Sequence, residues 1–260
     1  MESHLRRAIE RGCLEVHYQP MIALHNDTVI AFEALVRWPH AGGMRMPDQF
    51  IPLAEEVGLI DALGAWVLSE ACATASSWPS RVGLAVNLSP VQLRDSRLVT
   101  VVRDALKNSG LAAARLELEI TESVPLEDNS ISLATLHGLR ALGVRISIDD
   151  FGAGFSSVSY LRRFPFDKIK IDRSFVRDVD TDLSAQAIVR AMATLGSSLG
   201  MAVTAEGIET PRQLQAAREM GCSQAQGYLI STPRRASDLP EILRRDLRLA
   251  RVGQLQIAQT

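Results

Sequence analysis

The chain has 260 residues, of which 47% are apolar and 22% charged. That balance excludes a disordered polymer and suits an α/β barrel, so 1–260 is read as a single domain. A net charge of −2 argues against a broad basic surface for nucleic acid polymers, though not against one bound nucleotide. No apolar run approaches the ~18 residues of a membrane span, and the first ten residues hold no apolar signal core. Cys13, Cys72 and Cys222 lie far apart, with no C-x-x-C, and fit a reducing, cytoplasmic setting.

In chain order, Ser3–Arg11 reads as a short helix stopped by Gly12. A strand follows at Leu14–Gln19, and another is centred on Phe32. Their connection, Ala23–Asp27, is too short for a crossover helix, so the two strands should be antiparallel. Helices are expected at Pro47–Val57 and Leu59–Ser76, then a strand at Val82–Leu88. Met44 and Met46 read as packing residues.

From Leu98 a unit recurs: an amphipathic helix, a glycine, then a short strand. Leu98–Ser109, Gly110 and Leu116–Ile120 make the first, and Ile131–Leu142, Gly143 and Val144–Asp149 the second. After a strand around Ile169, the pattern returns in Ala185–Leu199, Gly200 and Ala202–Glu206, and again in Arg212–Met220, Gly221 and Ser223–Tyr228. Glycine after a helix takes the left-handed conformation that closes it. Thr210-Pro211-Arg212-Gln213 has the form of a capping box. Alternating strands and helices imply parallel strands with helical crossovers. Seven such strands and one reversed one suggest a TIM-like (β/α)8 barrel, with an open doubly wound sheet as the alternative.

Side chains alternate between the two faces of a strand. Leu116, Leu118 and Ile120 share one face, and Glu117, Glu119 and Thr121 the other. Ile146 and Ile148 oppose Ser147 and Asp149; Ile169 and Ile171 oppose Lys170 and Asp172. In a barrel the aliphatic face meets the helices, so the polar set points into the lumen. Burying unpartnered carboxylates costs several kcal/mol each. Internal salt bridges are the bland account, but five carboxylates face one obvious cation, Lys170. The set lies at strand carboxyl ends, where barrel active sites are built. It comprises Glu33, Asn87, Glu119, Asp149, Asp150, Lys170, Glu206 and Gln226.

Oxygen ligands without histidine or thiolate suit Mg²⁺ or Mn²⁺, with Ca²⁺ also admitted. Two divalent ions with Lys170 would cancel the five carboxylates, and two metals sharing a carboxylate suit attack on a phosphodiester. Asp149 at the strand end and Asp150 on the turn form the natural bridge. Asp150-Phe151-Gly152 matches a kinase triplet, but no H-R-D loop or V-A-I-K strand accompanies it. Gly152-Ala153-Gly154 alone is a weak phosphate-loop signal. Arg162-Arg163 and Arg234-Arg235 read as solvated pairs.

An ordered series of motifs carries a resemblance. It runs through Tyr18-Gln19-Pro20, Glu33-Ala34-Leu35-Val36-Arg37-Trp38, Phe50-Ile51-Pro52-Leu53-Ala54-Glu55 and Asn87-Leu88-Ser89. It continues with Glu119-Ile120-Thr121-Glu122, Asp149-Asp150-Phe151-Gly152, Lys170-Ile171-Asp172, Ala205-Glu206-Gly207-Ile208-Glu209 and Gln226-Gly227-Tyr228. The chain resembles the EAL-domain phosphodiesterases that cleave cyclic di-GMP, over residues 4–247. The resemblance implies a barrel with one antiparallel strand and Mg²⁺- or Mn²⁺-dependent hydrolysis to linear pGpG. By the family pattern Glu33, Asn87, Glu119 and Asp149 hold one metal, and Asp149 and Asp150 the second. Lys170 contacts the nucleophilic water, and Glu206 and Gln226 complete the inner site, so Glu33, Lys170 and Glu206 are the expected catalytic groups. Gln19, Leu35, Arg37 and Glu209 match positions lining the substrate, and Gln226 is expected to contact it as well. Arg37 would suit a phosphate oxygen, a surface ion pair being the alternative. Glu122 matches the residue that steadies the 150–157 loop, which lies near the family's dimer contact.

Ala153, Phe155, Ala225 and Ile230 depart from the commoner family residues, but none removes a metal ligand. The competing readings are a receptor that senses cyclic di-GMP without cleaving it and a scaffold using only the barrel surface. The resemblance also implies a homodimer and admits an upstream sensory or diguanylate-cyclase domain. In that setting the chain would be the cytoplasmic part of a larger, membrane-attached protein. No pattern is read in the tail after Ala250.

Overall fold

Period-two alternation dominates the strands, and in the computed structural model it closes into a barrel. Residues 1–40, 42–122, 130–153, 161 and 164–244 are described. Helix α1 (Glu2–Glu10) leads into β1 (Glu15–Ala23) and β2 (Thr28–His40), and β3 (Gly43–Arg45) folds back on β2. Next come α2 (Ile51–Glu56), α3 (Ile60–Ser76), β4 (Gly83–Leu88), α4 (Leu98–Ser109), β5 (Leu116–Thr121) and α5 (Ser130–Ala141). Then follow β6 (Arg145–Phe151), β7 (Lys168–Ile171), α6 (Arg173–Val176), α7 (Leu183–Ser198) and β8 (Ala202–Ala205). The described part ends with α8 (Pro211–Glu219), β9 (Gln224–Gln226), β10 (Arg234–Arg235) and α9 (Leu239–Arg244). No helix among the described residues is long and apolar enough to cross a membrane.

The wall runs β1-β9-β8-β7-β6-β5-β4-β2 and closes through a β1–β2 pairing. Strand β1 is antiparallel to both neighbours, and the remaining wall pairs are parallel. The reversed strand is therefore where the short Ala23–Asp27 connection puts it, and closure excludes the open sheet. Two short strands, β3 and β10, add to the outside of this ring.

Local signals account for the element ends. Gly110 closes α4 with φ +70, its N–H bonded to Leu106 O at 2.9 Å. At α8 the Thr210 hydroxyl accepts from Gln213 N at 3.2 Å, and Gln213 Oε1 accepts from Thr210 N at 2.9 Å. That reciprocal cap satisfies donors a helix start otherwise leaves open. The Pro47–Val57 helix instead divides into a 3-10 turn, Pro47–Gln49, and α2. Phe50 separates them with non-helical backbone and is fully buried, so packing of its ring overrides continuous helix. Met44 and Met46 are not packing residues: both are exposed, because β3 lies outside the barrel wall. Of the two arginine pairs, Arg234-Arg235 is exposed on β10, and Arg162-Arg163 lies outside the described residues. Phe155 and the tail after Ala250 also lie outside them.

The aliphatic face of the wall is buried against the helices: Leu116, Leu118, Ile146 and Ile169 are inaccessible to solvent. Each such side chain contributes about 1.5–3 kcal/mol relative to exposure. The lumen is different. Met21, Ala31 and Ala85 form a small apolar cluster separate from the main core. Beside it Lys168 Nζ lies 2.8 Å from Glu117 Oε1, both residues almost wholly buried, with Arg145 Nε 3.9 Å from the same carboxylate. Burial raises the Glu117 pKa, but Lys168 and Arg145 outweigh it and hold the carboxyl below its ordinary value. For this layer the internal salt bridge considered from sequence is the right account.

Removing one partner of that pair leaves a buried charge uncompensated. Lys168→Met should destabilise the fold by about 3–5 kcal/mol in urea denaturation, and Lys168→Met with Glu117→Leu should recover most of the loss. Because the Glu117 pKa is depressed, its contribution is full above the ordinary carboxylate range and fades as pH falls through the folded value.

Candidate metal centre

One layer nearer the carboxyl ends of the strands, the polar side chains converge on Lys170. Its Nζ lies 2.8 Å from Glu119 Oε2, 2.8 Å from Glu206 Oε1, 3.1 Å from Asp149 Oδ1 and 3.5 Å from Glu33 Oε2. Four strands or strand ends supply those carboxylates, and β7 supplies the ammonium. Glu33 on β2 is held from both sides. Its Oε1 accepts from Asn87 Nδ2 at 2.6 Å and its Oε2 from Gln226 Nε2 at 2.6 Å. Gln226 also donates to Gln19 Oε1 at 3.2 Å, and Gln19 donates to Ser231 O. The register explains the layer: Asn87 is opposite Glu119, and Gln19 opposite Glu33.

Asp150 is not on a turn beyond the strand. It sits within β6, where the pairing with β7 slips between Ile148 and Phe151, and its φ is +53. A left-handed aspartate in a bulge is strained by roughly 1–2 kcal/mol. The bulge turns its side chain so that Asp149, Asp150 and Glu206 place ligand atoms within 4.8 Å of one another. Glu122 Oε2 accepts from Gly152 N at 2.8 Å, and Glu122 N donates to Asp149 O at 3.1 Å. This ties the start of the 150–157 segment to β5; residues 154–157 lie outside the described residues.

The charge balance is unequal to the burial. Burial first, then the Glu33, Asp149 and Glu117 carboxylates, raise Glu119 well above its usual value despite Lys170. Glu206 is pushed up to about 8, by burial and then by Asp149 and Glu33 against Lys170. Asp150 rises to about 6, through burial and then Asp149 and Asp172. Glu33 goes down: burial opposes ionisation, but Lys170 and the two amide donors prevail. Lys170 is held well above its ordinary value by the surrounding carboxylates, against the effect of burial. One ammonium thus serves five acids. Glu119 Oε1, buried, has no hydrogen-bond partner among the described residues. A hard divalent cation fits this all-oxygen donor set, and the Glu119 oxygen would be available to it as a ligand atom.

A cleft of about 510 Å³ opens over the cluster. Gln19, Leu35 and Glu209 line it, with Glu33, Asp150, Glu206 and Gln226 at its floor and sides. Asn87, Glu119, Asp149 and Lys170 lie outside that lining. Arg37 is also outside it and is no surface ion pair: it is 5% exposed and makes no salt bridge with a described residue. Its guanidinium donates to Val36 O at 2.9 Å; burial lowers its pKa while nearby Tyr228 and Glu33 raise it. Asp172, Arg173 and Tyr228, outside the expected site set, also line the cleft. Strand alternation already put Asp172 on the polar face, and Tyr228 closes a quoted motif. Arg173 had no signal, because its place depends on how β7 and β8 lie together. The departures at Ala225 and Ile230 are both buried packing positions.

A model of the EAL domain matches residues 2–233. An uncharacterised Sinorhizobium fredii protein, y4lL, is 51% identical over 245 residues, 94% of this chain and 30% of that protein. The cyclic di-GMP phosphodiesterase NbdA of Pseudomonas aeruginosa is 45% identical over 249 residues, 94% of this chain and 32% of its own. The chain spans about a third of the length of these curated relatives. A solved structure, the PaMucR phosphodiesterase in a c-di-GMP complex, superposes with a TM-score of 0.86 at 43% identity. It covers 91% of this chain and 98% of that one. The family match along nearly the whole barrel, with these relatives, shows that the chain belongs to the EAL domain family.

Proposed function

We propose that the chain is a Mg²⁺- or Mn²⁺-dependent phosphodiesterase that hydrolyses cyclic di-GMP to linear pGpG. The observation that carries this reading is the cluster of five carboxylates around Lys170, buried at the barrel mouth beneath a cleft of nucleotide dimensions. Relatives and solved structures named for cyclic di-GMP support the substrate. Glu33, Asn87, Glu119 and Asp149 would hold one cation, and Asp149 with Asp150 a second. Such cations supply Lewis acidity, which activates water and offsets charge building on the phosphate. The chain's own groups do the rest. Glu33 stays ionised under its two amide donors. Lys170 keeps its proton among the acids, so it orients the attacking water by donating to it. Glu206, held against Lys170, faces the cleft beside the reacting phosphate. Water adds to phosphorus, the P–O3′ bond breaks, and a 3′-hydroxyl and the 5′-phosphate of pGpG result. Gln19, Leu35, Arg37 and Glu209 contact the substrate, and Glu122 steadies the 150–157 loop. In its full setting the domain acts as a cytoplasmic homodimer.

Three measurements test the reading. Chromatography of cyclic di-GMP with the protein should give pGpG with Mg²⁺ or Mn²⁺ and none with EDTA, and Glu33→Ala should abolish it. Binding without cleavage in either metal would instead make the domain a receptor. Lys170→Ala should lower kcat by roughly 10²–10⁴-fold with little change in KM. Independently of turnover, Mn²⁺ should raise the melting temperature of the wild type and raise that of Asp149→Asn less.

A further inference from the structure

Away from the acid cluster, the first helix forms a cationic recess on the outside of the barrel. Helix α1 supplies His4, Arg7 and Arg11, and the far end of β2 supplies Trp38 and His40. The recess holds about 230 Å³ and shares no lining residue with the cleft over the acid cluster. No carboxylate lines it. Of the two acids on α1, Glu2 is engaged by Arg6 at 3.3 Å, and neither Glu2 nor Glu10 is part of the lining. Arg7 and Arg11 make no ion pair with a described residue.

The helical repeat puts these cations together. His4, Arg7 and Arg11 follow the i, i+3, i+4 spacing and so share one face, while Leu5 and Ala8 are buried and anchor the helix. Arg7 Nε donates to Ser3 O at 3.2 Å, which leaves its two terminal nitrogens free of that bond. The His4 and His40 rings lie 6.0 Å apart, their planes 28° from parallel. His40 stands edge-on to Trp38 at 5.8 Å. Its Nδ1 accepts from Gly42 N at 3.5 Å, so a neutral ring carries its proton on Nε2 and donates from there. A further cation, Arg45, stacks on Trp38 with its guanidinium carbon 4.7 Å from the ring centroid.

Like charges on one helix face with no acid among them repel, and an anion relieves that repulsion. Guanidinium forks pair with phosphate oxygens in bidentate fashion. A phosphate monoester carries close to two negative charges and three free oxygens, enough to match both arginines. A diester carries one charge and two free oxygens and leaves one arginine unmatched. Trp38 is almost wholly buried, so it forms the floor of the recess and offers no face for a base to stack on. We propose that this recess binds a phosphate monoester group, gripped by Arg7 and Arg11, with His4 and His40 donating from its walls. Inorganic phosphate and the terminal phosphate of a linear nucleotide share that chemistry. The site stands apart from the phosphodiesterase reading, because its occupation needs neither metal nor turnover.

The test is a titration followed by NMR, in EDTA and at fixed ionic strength, so that neither the metal centre nor general screening contributes. Inorganic phosphate, at a pH above ~7 where the dianion dominates, should move the imidazole signals of His4 and His40 together with one saturating dissociation constant. Arg7→Gln and Arg11→Gln should each weaken binding by about 10-fold or more. Arg6→Gln, which removes the same charge from the arginine paired with Glu2, should leave it unchanged. Dimethyl phosphate, a diester, should bind the wild type about 10-fold more weakly than phosphate. The linear nucleotides pGpG and GpG separate the two sources. If pGpG binds more tightly than phosphate, and Arg7→Gln or loss of the 5′-phosphate in GpG removes the gain, the occupant is a nucleotide; equal affinity makes it free phosphate. No saturating shift at the two histidines overturns the proposal, as does an equal loss in Arg6→Gln, or dimethyl phosphate binding as tightly as phosphate. The wild-type comparison of the two esters decides even if an arginine variant fails to fold.

Discussion

Everything at the mouth of this barrel depends on buried charge that the described residues do not balance among themselves. Glu33, Glu119, Asp149, Asp150 and Glu206 approach one another around a single ammonium, that of Lys170. Like charges brought together in a low-dielectric space repel strongly, so the backbone must hold them there. It does so by drawing them from four strands or strand ends of a closed wall, with Asp149 and Asp150 both on β6; sliding one strand by a residue would turn its carboxylate out to the helices. The cost appears as carboxyls pushed above their ordinary range, most plainly Glu119 and Glu206. The helices and the apolar outer face offset that cost.

Two layers of the lumen differ in how their charges are matched. Glu117 and Lys168 form a matched pair, almost wholly buried, and the carboxyl goes down. Two residues along the same strand Glu119 shares its lysine with three other acids and goes up. The residues are of the same type on the same face, so the difference is the number of cations within reach. A pair in which every charge is matched holds the barrel together. A cluster with surplus carboxylate is poised to bind something positive.

Unusual backbone geometry and close approaches occur where the site meets the cleft. Asp150 occupies a left-handed conformation within a bulge, and Gly207 and Gly227 leave out side chains that would clash. These positions bend regular strands into a functional rim, and the regular strands below hold them in place.

The barrel was legible from Leu98 onward because strand and helix periods, glycine stops and the capping box at Thr210 are local signals. The reversed strand was legible as well, since five connecting residues cannot carry a crossover. The acids could be listed because alternation alone assigns them to the face opposite the isoleucines. Other features were not in the local pattern. The break at Phe50 arises from burial of its ring, and the exposure of Met44 and Met46 from a strand lying outside the wall. The depth of Arg37, the slip at Asp150 and the place of Arg173 on the cleft depend on contacts between segments far apart in the chain. Sequence by itself thus determined which residues face inward, since side-chain direction follows from the backbone repeat. Only the tertiary structure decided which of them share a cation and which are left uncompensated, because that depends on distances across a closed ring of strands.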